Sequence, residues 1–120
     1  MKRVTKRTEQ VGSLIAQVVS EIIRTEISDP KVAGIVSITA VRVSSDLKNA
    51  TVYFSILGKI NDWETVEIGL NRASGYIQRL MAQRIVLKVT PKITFAPDHT
   101  MEKAQEIEKL IEEQISHSIG

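Results

Sequence analysis

The feature that most restricts how this chain can fold is a small-residue break, Ala73-Ser74-Gly75, inside the stretch EIGLNRASGYIQRLMAQRIVLKVTPK from Glu67 to Lys92. Before the break, Trp63, Val66, Leu70 and Ala73 recur at helical spacing. After it, Ile77, Leu80, Met81 and Ile85 do the same. The pattern predicts two helices meeting at a kink. Ala73 and Gly75 are small enough to admit a second backbone, and glycine reaches positive φ without steric cost. The period then changes. Leu87, Val89, Pro91, Ile93 and Phe95 alternate with Lys88, Thr90, Lys92 and Thr94, which predicts a strand over 87–95. Pro91 has no N–H, so that strand belongs at a sheet edge or a bulge.

The remaining segments supply the frame. Val11, Leu14, Ile15, Val18, Val19, Ile22 and Ile23 form an amphipathic helical stripe, which Ser28-Asp29-Pro30 ends. Its Val and Ile content lowers intrinsic propensity, so packing has to hold it. From Ile35 to Val43 the chain is β-rich. Val36 and Ile38 alternate in one phase and Val41 and Val43 in the other, which predicts a bulge or bend near Ala40. After the turn Ser44-Ser45-Asp46, a second strand runs from Ala50 to Leu57 with Val52, Phe54 and Ile56 on one face, and Gly58 ends it. Two such runs this close predict an antiparallel hairpin. Asn61 is placed to cap the next helix, with Glu64 as its capping-box partner. Ala104, Ile107, Leu110, Ile111 and Ile115 mark a last helix, acidic on its outer side, and their stripe predicts that it packs on the domain. The order is helix, strand, strand, helix, kink, helix, strand, helix. It implies an α+β fold with helices covering one face of a small sheet.

A chain of 120 residues fits a single domain. It has no cysteine, which excludes disulfides, thiolate catalysis and cysteine-bound zinc, and fits a reducing compartment. The basic start is not followed by an apolar run, so it does not read as a signal peptide, and no apolar stretch is long enough for a bilayer. The net charge of +2 says little, but its distribution is uneven. Residues 1–24 carry +3 and residues 72–92 carry +5, whereas residues 98–120 carry −4. Such segregation points to one basic and one acidic face.

Catalytic chemistry is poorly provided for. His99 and His117 belong to no motif, and Asp98-His99 reads as a helix-start cluster rather than an acid–base pair. No Gly-rich phosphate loop, metal-ligand cluster or nucleophile elbow is present. The reading is therefore of a non-enzyme without a cofactor or metal. The candidate site is a polyanion-binding surface. Lys2, Arg3, Lys6 and Arg7 form a basic start that reads either as a solvated arm or as a phosphate-binding one. Arg72, Ala73, Ser74, Gly75 and Tyr76 form the kink. Arg79, Arg84, Lys88 and Lys92 extend the charge, and no acid lies between Asn71 and Lys92. Amides opening the helix after the kink suit phosphate oxygens, and Tyr76 suits a base or an arginine. The alternative is a tight αα turn whose arginines only solvate its outer side.

Several segments resemble the ribosome-binding factor A family. They are Ile27-Ser28-Asp29-Pro30, Val41-Arg42-Val43-Ser44-Ser45-Asp46-Leu47, Ala50-Thr51-Val52-Tyr53-Phe54-Ser55, Leu70-Asn71-Arg72-Ala73-Ser74-Gly75-Tyr76-Ile77 and Pro91-Lys92-Ile93-Thr94-Phe95-Ala96-Pro97-Asp98. Each is weak alone, and their shared order is specific. The resemblance implies a KH-like fold of type II order, α-β-β-α-kink-α-β, with an extra C-terminal helix. It also implies an AxG kink in place of the usual GxxG, which removes the usual KH clamp on single strands. As partners it implies the free 30S subunit and its 16S rRNA, whose late maturation and end processing such factors assist. A role in the cold, release with a maturation GTPase, a monomeric state and a cytoplasmic location follow from the same resemblance. The rival expectations are a generic KH-like RNA-binding or RNA-chaperone protein and a protein adaptor that uses the acidic last helix. The sequence leaves open whether residues 111–120 stay ordered.

Overall fold

The computed structural model describes residues 6–27, 36–57 and 63–119. They form α1 (Lys6–Glu26), β1 (Val36–Val43), β2 (Asn49–Ile56), α2 (Trp63–Arg72), α3 (Ser74–Arg84), β3 (Lys92–Pro97) and α4 (Thr100–Ile119). This is the expected KH-like order with one further helix. The helix stop at Ser28-Asp29-Pro30, the strand start at Ile35, the stop at Gly58 and the Asn61 cap lie outside the described residues.

β1 pairs antiparallel with β2, and β2 pairs parallel with β3, so β2 is central in a sheet of order β1-β2-β3. A hairpin turn suffices for the first pairing. The second needs a crossover, which α2 and α3 supply. The predicted bulge is present: Ile38 pairs with Phe54 and Ala40 with Tyr53, so Thr39 is the extra residue. It resets the alternation. Val36 and Ile38 before it and Val41 and Val43 after it all join the same core. Without the insertion, one half of the strand would turn its apolar side chains to the other face.

Onto this face pack Ile15, Val19, Ile22 and Ile23 of α1, Val66 and Leu70 of α2, and Ile77 and Met81 of α3. They enclose Phe54 and Phe95, both fully buried. α1 approaches the sheet closely at Gly12, where a Cβ would stand 3.0 Å from the Val41 carbonyl oxygen. At the far end of β2, Trp63 lies between Phe54, at 6.0 Å, and His99, at 4.2 Å.

β3 is an edge strand, and at Phe95 its outward-facing backbone is occupied. The Phe95 N–H donates to Asn71 Oδ1 at 2.8 Å, and Asn71 Nδ2 donates to the Phe95 carbonyl at 3.1 Å. Each bond contributes about 1 kcal/mol net, and a buried group left unmet costs about 1–3 kcal/mol. Asn71 thus closes one position in the row of edge N–H and C=O groups that could otherwise pair with another strand.

Three expectations are corrected. The strand predicted over 87–95 is a ladder only from Lys92. β2 begins at Asn49, opposite Lys92, so residues 87–91 have no described strand to bond. Pro91, buried just before the ladder, could not donate to one. Second, the described side chains of α4 do not pack on the described part of the domain. Every described side chain from Lys103 to Ile115 is exposed, and Ile107, Leu110, Ile111 and Ile115 are 52–60% exposed. The apolar face of the sheet is already covered by α1, α2 and α3, which leaves α4 no partner among the described residues. Third, Gly75 has neither a positive φ nor a close neighbour: nothing lies within 4 Å of the place its Cβ would take. It is an ordinary residue of the first turn of α3.

Candidate nucleic-acid interface

The kink is one residue long. Ala73 has φ −84° and ψ −4°, within the helical region. Its N–H donates to the Gly69 carbonyl at 3.1 Å, and the Ile77 N–H donates to the Ala73 carbonyl at 2.9 Å. Helical bonding therefore passes through the junction. Ser74 Oγ donates back to the Asn71 carbonyl at 2.7 Å, and Asn71 is itself fixed to β3, so the corner is tied to the sheet. The donors that the start of α3 offers are the amides of Ser74, Gly75 and Tyr76. Around them Arg72 and Arg79 are exposed, and Tyr76 is 42% exposed. The Arg79 guanidinium lies 6.0 Å from the Tyr76 ring centre, at the outer reach of a cation–π contact.

Arg84 is differently placed. Its guanidinium pairs with Glu26 at 3.2 Å and Glu21 at 3.8 Å, both on α1. Exposed pairs of this kind contribute only about 0–1 kcal/mol, but they direct the charge of Arg84 onto α1.

The other basic residues gather at one end of the sheet. Lys6 and Arg7 are exposed in the first turn of α1, while Lys2 and Arg3 lie outside the described residues. Arg7 and Lys88, far apart in sequence, line one cleft together with Leu47 and Pro91. Lys92 is exposed on the helix-free face of the sheet, and its N–H donates to the Lys48 carbonyl at 2.8 Å. Lys48 is thereby a neighbour of Lys92, and sequence reasoning missed it. Its signal is weak: one lysine in a turn, placed only by the parallel register. Arg42 was missed for the same reason. It is exposed on the same face, opposite Thr51, which in turn pairs with Thr94.

The carboxylates near these groups serve the backbone. Asp46 Oδ1 accepts from Ser44 Oγ at 2.6 Å and from the Lys48 N–H at 3.0 Å. The Ser44 bond, then the Lys48 amide bond, holds its pKa below the ordinary value. At the opposite end of β3, Asp98 Oδ1 accepts from the Thr100 N–H at 3.0 Å and from the Thr100 hydroxyl, and Oδ2 accepts from Thr39 Oγ1 at 2.7 Å. These bonds draw its pKa down to about 2. Asp98 opens α4, as expected for a helix-start cluster, and His99 lies against Trp63. Among the described residues, no three His, Asp or Glu side chains could hold a metal ion, and no helix is long and apolar enough to cross a membrane. The molecule is polar along β3: lysines and Arg7 at the entry of the strand, the glutamates of α4 beyond its exit.

These elements define a KH-like α+β domain with an open, mixed three-stranded sheet and a basic surface. The same fold is found in the crystal structure of ribosome-binding factor A from Thermus thermophilus, with a TM-score of 0.66 at 22% identity over 75% of this chain and 94% of that one. A Thermotoga maritima protein described as a ribosome binding factor A, solved in solution, gives 0.66 at 28% identity over 78% and 89%. A homology model of the Thermus factor, fitted into a cryo-electron-microscopy map of its complex with the 30S subunit, gives 0.60 at 21% identity over 72% and 90%. The model of the family described as ribosome-binding factor A matches residues 7–111. Relatives of that name from Coxiella burnetii are 41% identical over 108 residues, covering 90% of this chain and 89% of theirs. One from Acetivibrio thermocellus is 36% identical over 115 residues, covering 96% and 94%. The chain belongs to the ribosome-binding factor A family.

Proposed function

We propose that this protein is a non-enzymatic ribosome assembly factor that binds the free 30S subunit through its 16S rRNA. In this reading it assists late maturation and end processing of that RNA, supports growth in the cold, and leaves before translation with the help of a maturation GTPase. It acts in the cytoplasm as a monomer. Membership of the family carries the reading, and the complex of the Thermus relative with the 30S subunit supports it. The charge layout adds an orientation. The basic end of the sheet and the outer face of α2 and α3 meet the RNA, and α4 points away. Lys2 and Arg3 would extend the basic end, and Arg84, already paired, contributes least.

Sedimentation tests this. The protein should comigrate with free small subunits and be absent from whole ribosomes. Arg72→Glu, Arg79→Glu and Lys88→Glu together should weaken comigration severely. They should also flatten the salt dependence by about 0.7 in log–log slope per lost phosphate contact, if the RNA is single-stranded. Glu106→Lys, Glu108→Lys and Glu112→Lys together should leave binding intact or stronger. A folded triple-glutamate variant that binds with wild-type salt dependence would refute the reading.

A further inference from the structure

One cleft joins segments that are remote in sequence: the first turns of α1, the turn between β1 and β2, and the stretch between α3 and β3. Its volume is about 170 Å³. Val11, Leu47, Leu87, Val89 and Pro91 give it an apolar lining, and the exposed Arg7, Lys88 and Asp46 border it, with Asp46 Oδ1 engaged by Ser44 Oγ and the Lys48 N–H. Val89 is 46% exposed, and nearby Val86 is fully so, which makes this the most apolar part of the basic end.

Leu47 is the telling residue. Its φ is 63°, the one positive value among the described non-glycine residues. Glycine or asparagine takes such a conformation readily, and a leucine there is strained. The turn is nonetheless bonded shut around it. The Leu47 N–H donates to the Ser44 carbonyl at 2.9 Å, the Ser44 N–H donates to the Asn49 carbonyl at 2.9 Å, and Asp46 holds the Lys48 N–H. A turn that needs only its shape would carry glycine; here the leucine side chain both packs against the hydrophobic core and lines the cleft.

We propose that this cleft takes one unstacked base of a single-stranded rRNA segment, with Arg7 and Lys88 on the phosphates to either side. The proposal rests on the RNA-binding reading above and narrows it to a mode of contact. The cleft is smaller than the roughly 300 Å³ at which sites for drug-sized ligands begin, and suits a single ring system. An apolar lining between two cations matches the two halves of a nucleotide: an uncharged ring face and an anionic backbone. Protein readers of RNA take their specific contacts from bases splayed out of single strands. Lys48 and Lys92 continue the charge beside the cleft and give the departing backbone a path.

The chain has no cysteine, so Val86→Cys offers a single thiol for a photoactivatable label at the cleft's edge. With free small subunits, the label should crosslink to one or two nucleotides in an unpaired rRNA segment. Leu47→Gly relieves the backbone while removing a side chain packed on the core, so the two effects on stability oppose each other; the variant should stay folded while binding subunits about tenfold more weakly. A crosslink to a ribosomal protein, or to base-paired RNA, overturns the proposal, as does Leu47→Gly with wild-type affinity. If Leu47→Gly alone is unaffected while wild type comigrates with subunits, only the cleft fails. If wild type does not comigrate, the RNA-binding reading fails and the cleft with it.

Discussion

Gly12 faces the Val41 carbonyl at close range, whereas Gly75 faces open space within a helix. Their substitutions should therefore diverge. Gly12→Val pushes a branched side chain against backbone and should cost about 1–3 kcal/mol. Gly75→Ala fills nothing and removes unfolded-state freedom, so it should stabilise by about 0.5–1 kcal/mol. Urea denaturation of both variants decides this, and a destabilised Gly75→Ala would show that the corner needs its glycine. Asp98 has a similarly local consequence. Its folded pKa, about 2, lies below the ordinary 3.8, chiefly because of the Thr100 hydroxyl, then the Thr39 hydroxyl and the Thr100 amide. The folded state thus binds this proton more weakly than the unfolded state. The stabilisation is complete above about pH 4 and is lost as the pH falls through about 2. Wild type should lose more stability than Asp98→Asn across that window, and identical slopes in acid would exclude the cap as the cause.

At the scale of elements, the sequence was most informative where the period was long and unbroken. The α1 stripe, the hairpin and the bulge that rephases β1 all follow from the spacing of Val and Ile. Residues 87–91 misled for a physical reason. Alternation reports which face is apolar, not whether a neighbouring strand is present, and β2 starts too late to supply one. The same limit applies to α4, whose stripe has the right spacing but no described surface to meet. Asn71 was invisible because an asparagine late in a helix carries no signal until β3 is placed beside it. Of the candidate interface, Arg72, Arg79, Lys88 and Lys92 were legible as one charged run, with Tyr76 among them. Lys48, Arg42 and the pairing of Arg84 with Glu21 and Glu26 depend on register and packing, which one sequence does not reveal.

At the scale of the molecule, the projecting helix governs the shape. The Cα radius of gyration is 17.2 Å, against about 14 Å for a compact chain of this length. A chain ending at Glu102 should scatter with a radius near 13 Å and change its unfolding free energy by less than about 1 kcal/mol. A large loss of stability would mean that α4 folds back on the domain in solution. The parallel partner of β2 also sets an order in time. The hairpin closes over a short turn, but β3 can join only after α2 and α3 have bridged the sheet, and the longer closure is the slower one. Val43→Ala, within the hairpin, should therefore slow refolding in stopped-flow chevrons. Phe95→Leu should mainly hasten unfolding, and equal slowing of refolding by both would reverse this sequence of events. During synthesis, the edge of β2 that β3 covers then stays bare until Pro97 has left the ribosome, and Asn71 can close on Phe95 only after that.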